Sequence, residues 1–155
     1  MSEVATSRLG DGRNVVAGLT WIVAPRSIGL AQARLTGRTA KASGFLLRAE
    51  GRNLAVLPPP LQASQSVALG DVLCQALGPS WCGVFSVDGK PVYLAANEGC
   101  IPPDGDQLYP DERAARARLQ EEASLYTNVY APSSWGIEGA EDSDAFLRSV
   151  DCCFG

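Results

Sequence analysis

The stretch Trp81–Ala96, WCGVFSVDGKPVYLAA, decides the fold. Two apolar runs, Trp81–Val87 and Val92–Ala96, flank Asp88-Gly89, a pair that readily takes the two positive-φ positions of a tight hairpin turn. The runs are short, β-branched and aromatic, so they read as strands and not as helix. Pro91 has no backbone N–H to donate. The second strand is therefore expected to begin late or to lie at a sheet edge.

C-terminal to this hairpin, Gly99, Pro102, Pro103, Asp104, Gly105 and Asp106 form a turn-rich loop. Asp111 is placed to cap a helix running to about Ser124. Its candidate ion pairs are Glu112–Arg116 and Arg118–Glu122, and Ala115, Leu119 and Ala123 share its buried face. Thr127–Ala131 reads as a short strand cut off by Pro132. Ser143 is expected to cap a last helix packed through Phe146, Leu147 and Val150.

On the N-terminal side, Leu69, Val72, Leu73, Ala76 and Leu77 repeat at helical spacing, with Ser64 or Ser66 as cap and Gly78-Pro79 as stop. Gly44–Glu50 and Leu54–Leu57 flank Gly51-Arg52-Asn53 and read as a second hairpin, ended by Pro58-Pro59-Pro60. Ser27–Lys41 carries Ile28, Ala31 and Leu35 at helical spacing, weakened by Gly29 and Gly37, and reads as a short helix or a loop with helical turns. Val15–Val23 is apolar on both alternating faces and reads as one strand covered on both sides. Residues Met1–Asn14 are polar and expected to fray, so the organisation predicted is a flexible segment over 1–14 and one α/β domain over 15–151. The order strand, helix, hairpin, helix, hairpin, helix, strand, helix predicts a mixed β-sheet with helices packed on it.

Size and composition agree with a single domain. The 155 residues can bury roughly two-thirds of their unfolded surface, enough for a core without staples. Apolar residues make up 46% and charged residues 19%, which argues against disorder. The 13 basic and 17 acidic residues leave a net charge of −4, so no overall basic footprint for nucleic acid exists. Val15–Ala24 is too short to span a bilayer, and the charges ahead of it cancel, against a signal peptide.

The chain contains no histidine, which removes Ser-His-Asp and Cys-His catalysis and imidazole metal ligation. Cys74, Cys82, Cys100, Cys152 and Cys153 form no C-x-x-C pair, and they read as reduced cysteines of a cytosolic protein. Asp104 and Asp106 could together face a divalent ion, but a calcium loop needs more oxygen ligands. A solvated turn ahead of a helix is the expected role of this stretch. No Walker-type or dinucleotide-binding glycine loop is present. Tyr109, Tyr126, Tyr130 and Trp135 are expected to fill the core with their polar tips outward, and Arg113, Arg116 and Arg118 to form a solvated helix face. No catalytic, cofactor-binding or metal-binding residue is predicted.

The runs Val87-Asp88-Gly89-Lys90-Pro91-Val92-Tyr93 and Glu98-Gly99-Cys100-Ile101-Pro102-Pro103-Asp104-Gly105-Asp106 resemble the PilO-type pilin accessory proteins of type IVb pilus systems. The likeness continues through the helix after Asp111 into Val129-Tyr130-Ala131-Pro132-Ser133-Ser134-Trp135-Gly136. It includes Gly18-Leu19-Thr20-Trp21 near the start, spans about Trp81–Leu147 and is thin between Arg26 and Gln65. The motif positions it picks out, as structural or docking residues, are Trp21, Asp88, Gly89, Gly99, Asp104, Gly105, Asp106, Tyr130, Pro132 and Trp135.

The resemblance implies a cytoplasmic domain on the inner face of the bacterial inner membrane, with a membrane span and a periplasmic part beyond Gly155. The fold it implies is a reduced actin-like, ribonuclease-H-like domain. The implied role is a non-enzymatic scaffold linking the pilus motor ATPase to the polytopic inner-membrane platform protein. An actin-like nucleotide-binding domain with weak or regulatory ATPase activity is the alternative.

Overall fold

The computed structural model describes residues 4–8, 12–23, 44–49 and 52–147, and among these the chain forms eleven short strands, β1–β11, α-helices of nine and eleven residues, and a further helical stretch over 143–147. The central hairpin forms as read. Strands β7 (Trp81–Val87) and β8 (Lys90–Ala96) pair antiparallel from Val87↔Lys90 to Trp81↔Ala96. Asp88 at φ 52° and Gly89 at φ 74° supply the two left-handed turn positions.

Strand β8 neither begins after Pro91 nor lies at a sheet edge, because it starts at Lys90 and runs between β7 and β9 (Asp106–Leu108). The Pro91 carbonyl accepts from Tyr109 N on the β9 side, so its missing donor faces the point where β9 has already run out.

The expected solvated turn forms at Asp104, which is exposed, and the departure is at Asp106, which is buried and opens strand β9. Gly105 makes the difference. Its amide donates to Pro102 O and its carbonyl accepts from Ala95 N, which lays the following residues along β8. An added Cβ there would sit 2.7 Å from the Pro102 ring. Beyond β9, helix α2 (Glu112–Glu122) begins at Asp111, whose carboxylate accepts from Ala114 N at 2.8 Å. Its Ala115 and Leu119 are buried, and the chain returns as β10 (Asn128–Ala131), parallel to β7, and β11 (Glu141–Asp142), parallel to β10. The resulting five-stranded sheet has the order β11-β10-β7-β8-β9.

Period-two alternation splits this sheet into two faces. Cys82, Val84, Tyr93 and Ala95 pack under α2 with Trp135. Trp81, Phe85, Val92, Leu94 and Tyr130 face the main core on the other side. There Trp81, Phe85, Tyr130 and Phe146 form a chain of aromatic contacts with centroids 5.8–6.2 Å apart. Gly83 makes room for it, because a Cβ would stand 2.7 Å from the Tyr130 Cβ and 2.8 Å from its carbonyl oxygen.

The N-terminal half supplies two further sheets in place of the single mixed sheet expected. Val15–Val23 is not one strand. Gly18, at φ 85°, breaks it into β2 (Asn14–Ala17) and β3 (Thr20–Val23), which belong to different sheets. Part of the segment expected to fray is also ordered: β1 (Ala5–Arg8) pairs antiparallel with β2. The third strand of that sheet is β6 (Ser66–Ala68). The second hairpin forms β4 (Gly44–Arg48) and β5 (Asn53–Leu57), with β3 on the far side of β5.

Helix α1 (Leu69–Leu77) follows β6 directly, so neither Ser64 nor Ser66 caps it. The cap position is Ala68, and the Ser66 hydroxyl donates to Gln62 O at 2.7 Å. Gly78 ends α1 as read. Ser143 is not the last cap either. Asp142 accepts from Asp144 N and Ala145 N, while Ser143 Oγ is buried without a hydrogen-bond partner. Phe146 and Leu147 do pack on the main core. The short helix or loop with helical turns expected in Ser27–Lys41, and Val150, Cys152 and Cys153, lie outside the described residues.

Candidate functional site

The N-terminal sheets meet the five-stranded sheet through three polar side chains. The first is Asp106, 3% exposed on β9. Its Oδ1 accepts from Gly18 N at 2.7 Å and its Oδ2 from Trp21 Nε1 at 2.8 Å, with the Leu19 amide as a further donor. Burial pushes this carboxyl up to about 7, against the pull of the three donors.

The second is Asn53, fully buried at the start of β5. Its Oδ1 accepts from Ile101 N at 2.7 Å and from Arg48, and its Nδ2 donates to Ile22 O and Ile101 O. The third is Arg48 on β4, which donates to Gly99 O, to Asn53 Oδ1 and to Asp71 on α1 at 3.2 Å.

A second network lies on the α2 face. Arg118 stacks 4.4 Å above the Tyr93 ring, pairs with Asp104 and donates to Gln107 and Tyr109. Its Nε is 3.0 Å from Glu122 Oε1, an ion pair off the line of a good hydrogen bond. The Tyr93 hydroxyl donates to Glu122 at 2.8 Å, and burial followed by that bond raises its pKa. Arg118 is thus half-buried and not part of a solvated face, whereas Arg113 and Arg116 are exposed. Of the two helix ion pairs expected, Arg118–Glu122 forms and Glu112–Arg116 does not.

The structure brings Trp21 and Asp106 into direct contact, with Gly105 beside them, but scatters the other sequence-derived positions. Asp88 and Gly89 are exposed at the tip of the β7–β8 hairpin. Gly99 lies in the turn after β8 and holds Arg48. Asp104 stands at the rim, where its carboxylate pairs with Arg118 at 3.3 Å. Tyr130 and Trp135 are buried on opposite faces of the sheet, and Pro132 ends β10 between them.

Asn53, Arg48 and Tyr93 were missed. A signal for Asn53 was present: it shares the inward period with Ala55 and Leu57, and a polar residue there needs partners.

The chemistry available is that of a joint. Asp106 already accepts from three protein donors, so it is spoken for as a base or ligand. Burial pushes the Cys74 thiol up to about 11 and the Cys82 thiol up to about 12, so both stay protonated and poorly nucleophilic near neutral pH. Among the described residues, no group of three His, Cys, Asp or Glu side chains is placed to hold a metal ion. No helix among them is long and apolar enough to cross a membrane.

No protein-family model matches this chain, and no curated protein matches it. Among solved structures it is similar to the crystal structure of the cytoplasmic domain of BfpC. The TM-score is 0.60 at 18% identity, over 92% of this chain and 91% of that one. At that identity the two share a fold.

Proposed function

We propose that this chain is a non-enzymatic docking module of an inner-membrane assembly platform for type IVb pili, of the PilO-type accessory class, working at the cytoplasmic face of the membrane. The observation that carries the reading is the fold shared along nearly the whole chain with the cytoplasmic domain of BfpC. The sequence likeness to type IVb platform proteins over about Trp81–Leu147 supports it independently.

The finer fold assignment in this reading is a reduced actin-like, ribonuclease-H-like domain. Its support is the arrangement of the five-stranded sheet: an antiparallel meander β7-β8-β9, a helix, then two strands parallel to β7. The partners are the pilus motor ATPase and the polytopic platform protein. The polar joints described above hold a rigid scaffold and leave its outer surfaces for docking.

Co-purification of the chain with those two proteins of its own pilus system tests the reading. Capture of either supports it. Failure to capture both, together with tight ATP binding by the purified chain, would replace it with the nucleotide-binding alternative.

A further inference from the structure

Strand β9 is the last strand of the five-stranded sheet, and among the described residues no strand pairs with its outer side. The direction of its backbone groups follows from its bonds to β8. Ala95 N donates to Gly105 O at 2.9 Å, Tyr109 N donates to Pro91 O at 3.0 Å, and Gln107 stands opposite Tyr93 between them. Residues 105, 107 and 109 therefore turn their N–H and C=O groups toward β8. In an antiparallel ladder the alternate residues turn theirs the other way, so Asp106 and Leu108 present backbone donors and acceptors on the outer side.

That side faces a groove. A cavity of about 570 Å³ has the chain from Asp106 to Pro110 as one wall and Gly18, Leu19 and Thr20, at the corner between β2 and β3, as the other. The Asp106 carboxylate holds the two walls together at one end, through Gly18 N and Trp21 Nε1. The volume falls within the range of about 300–1,000 Å³ typical of clefts that enclose a ligand.

We propose that this groove takes an extended, Lys- or Arg-bearing peptide segment of another protein, which pairs with the outer edge of β9 as an added strand. The assignment holds whether or not that protein belongs to a pilus platform.

Backbone donors and acceptors along a strand edge are matched by another peptide backbone, and the opposite wall supplies contacts for the side chains. The paired stretch is short. At one end the chain turns where Gly105 N donates to Pro102 O. At the other, the next residue of the outward series is Pro110, which has no N–H to offer.

Charge selects the occupant. Residues 103–113 carry four carboxylates, Asp104, Asp106, Asp111 and Glu112, against one arginine, Arg113. Asp104, Asp111 and Glu112 are exposed beyond the two ends of β9. Arg118 answers Asp104 but is shared with Glu122. Two copies of β9 pairing antiparallel would bring Asp104 of each toward Asp111 and Glu112 of the other, like charges that oppose self-association. A basic segment meets the same carboxylates favourably.

Panning a phage-displayed library of random octapeptides on the whole chain, then hydrogen exchange with a synthesised peptide from that selection, tests the groove. In the free chain the Leu108 amide should exchange about tenfold or more faster than the Tyr109 amide, which is bonded to β8. The selected peptides should carry Lys or Arg and bind more weakly as salt rises. They should slow Leu108 exchange about tenfold or more and leave the Ile101 amide, held by Asn53, unchanged. Leu108→Pro removes an outward donor, leaves the β8 bonds in place and should weaken binding about tenfold. If that variant does not fold, Thr20→Arg decides, since it alters an exposed residue of the far wall and should weaken binding at least as much. Selection of no peptide, peptides that are acidic or leave Leu108 exchange unchanged, or binding unaffected by Thr20→Arg overturns the proposal. Protection of Leu108 that rises with the concentration of the chain alone also overturns it, because a second copy would then fill the groove.

Discussion

Asn53→Ala removes a fully buried amide that makes hydrogen bonds to Ile22, Ile101 and Arg48 at once. Three backbone groups lose their partner: Ile22 O, Ile101 O and Ile101 N. Arg48 keeps its hold on Asp71 and Gly99 O, so its share of the loss is small. Each orphaned buried backbone group costs about 1–3 kcal/mol. Three such groups give a loss of at least about 3 kcal/mol, within a total stability of about 5–15 kcal/mol for a domain of this kind.

Urea denaturation should show a lower midpoint with an unchanged slope, because the folded surface stays the same. Asn53→Asp should be no milder, since it turns a second carboxylate oxygen toward the Ile22 and Ile101 carbonyls. A loss under about 1 kcal/mol in Asn53→Ala would refute the reasoning, because it would mean that the three backbone groups find other partners at no cost.

Trp135→Ala should cost about 3–5 kcal/mol in thermal or urea unfolding, because the indole is 7% exposed and packs in one cluster with Ala115, Leu119 and Ala131. Unchanged melting would move Trp135 out of the core. Gly83→Ala should lose about 1–3 kcal/mol, since its Cβ would meet the Tyr130 carbonyl oxygen at 2.8 Å and the backbone cannot swing aside; a neutral result would contradict the close β7–β10 approach. Cys74, Cys82 and Cys100, free and buried, should react with a thiol reagent after unfolding and scarcely before. Fast labelling of the folded protein at neutral pH would count against their placement.

The parts legible in the sequence are those fixed by local chemistry. Asp88-Gly89 dictates its own turn, Asp111 its own helix start, and Gly78 its own helix stop. Trp135 was also legible, because a glycine after a short strand lets a large ring fold back on the sheet. Long-range pairing was not legible. Gly18 splits an apolar run because its amide and that of Leu19 are drawn to Asp106, and no window around residue 18 contains that carboxylate. Asp106 itself sat in a run of turn formers, and its strand exists because Gly105 lies under Pro102 and against β8. Arg118 looked like a surface charge because its i,i+4 partner was visible and the Tyr93 ring beneath it was not.

The central claim, a docking scaffold and not a nucleotide enzyme, is tested most directly by one calorimetric comparison on the purified chain. The chain would be titrated in turn with the motor ATPase of its own pilus system, with the cytoplasmic part of the polytopic platform protein, and with ATP in the presence of magnesium. The account predicts saturable binding to at least one of the two proteins and no binding of ATP. Micromolar ATP affinity with no heat from either protein would contradict it.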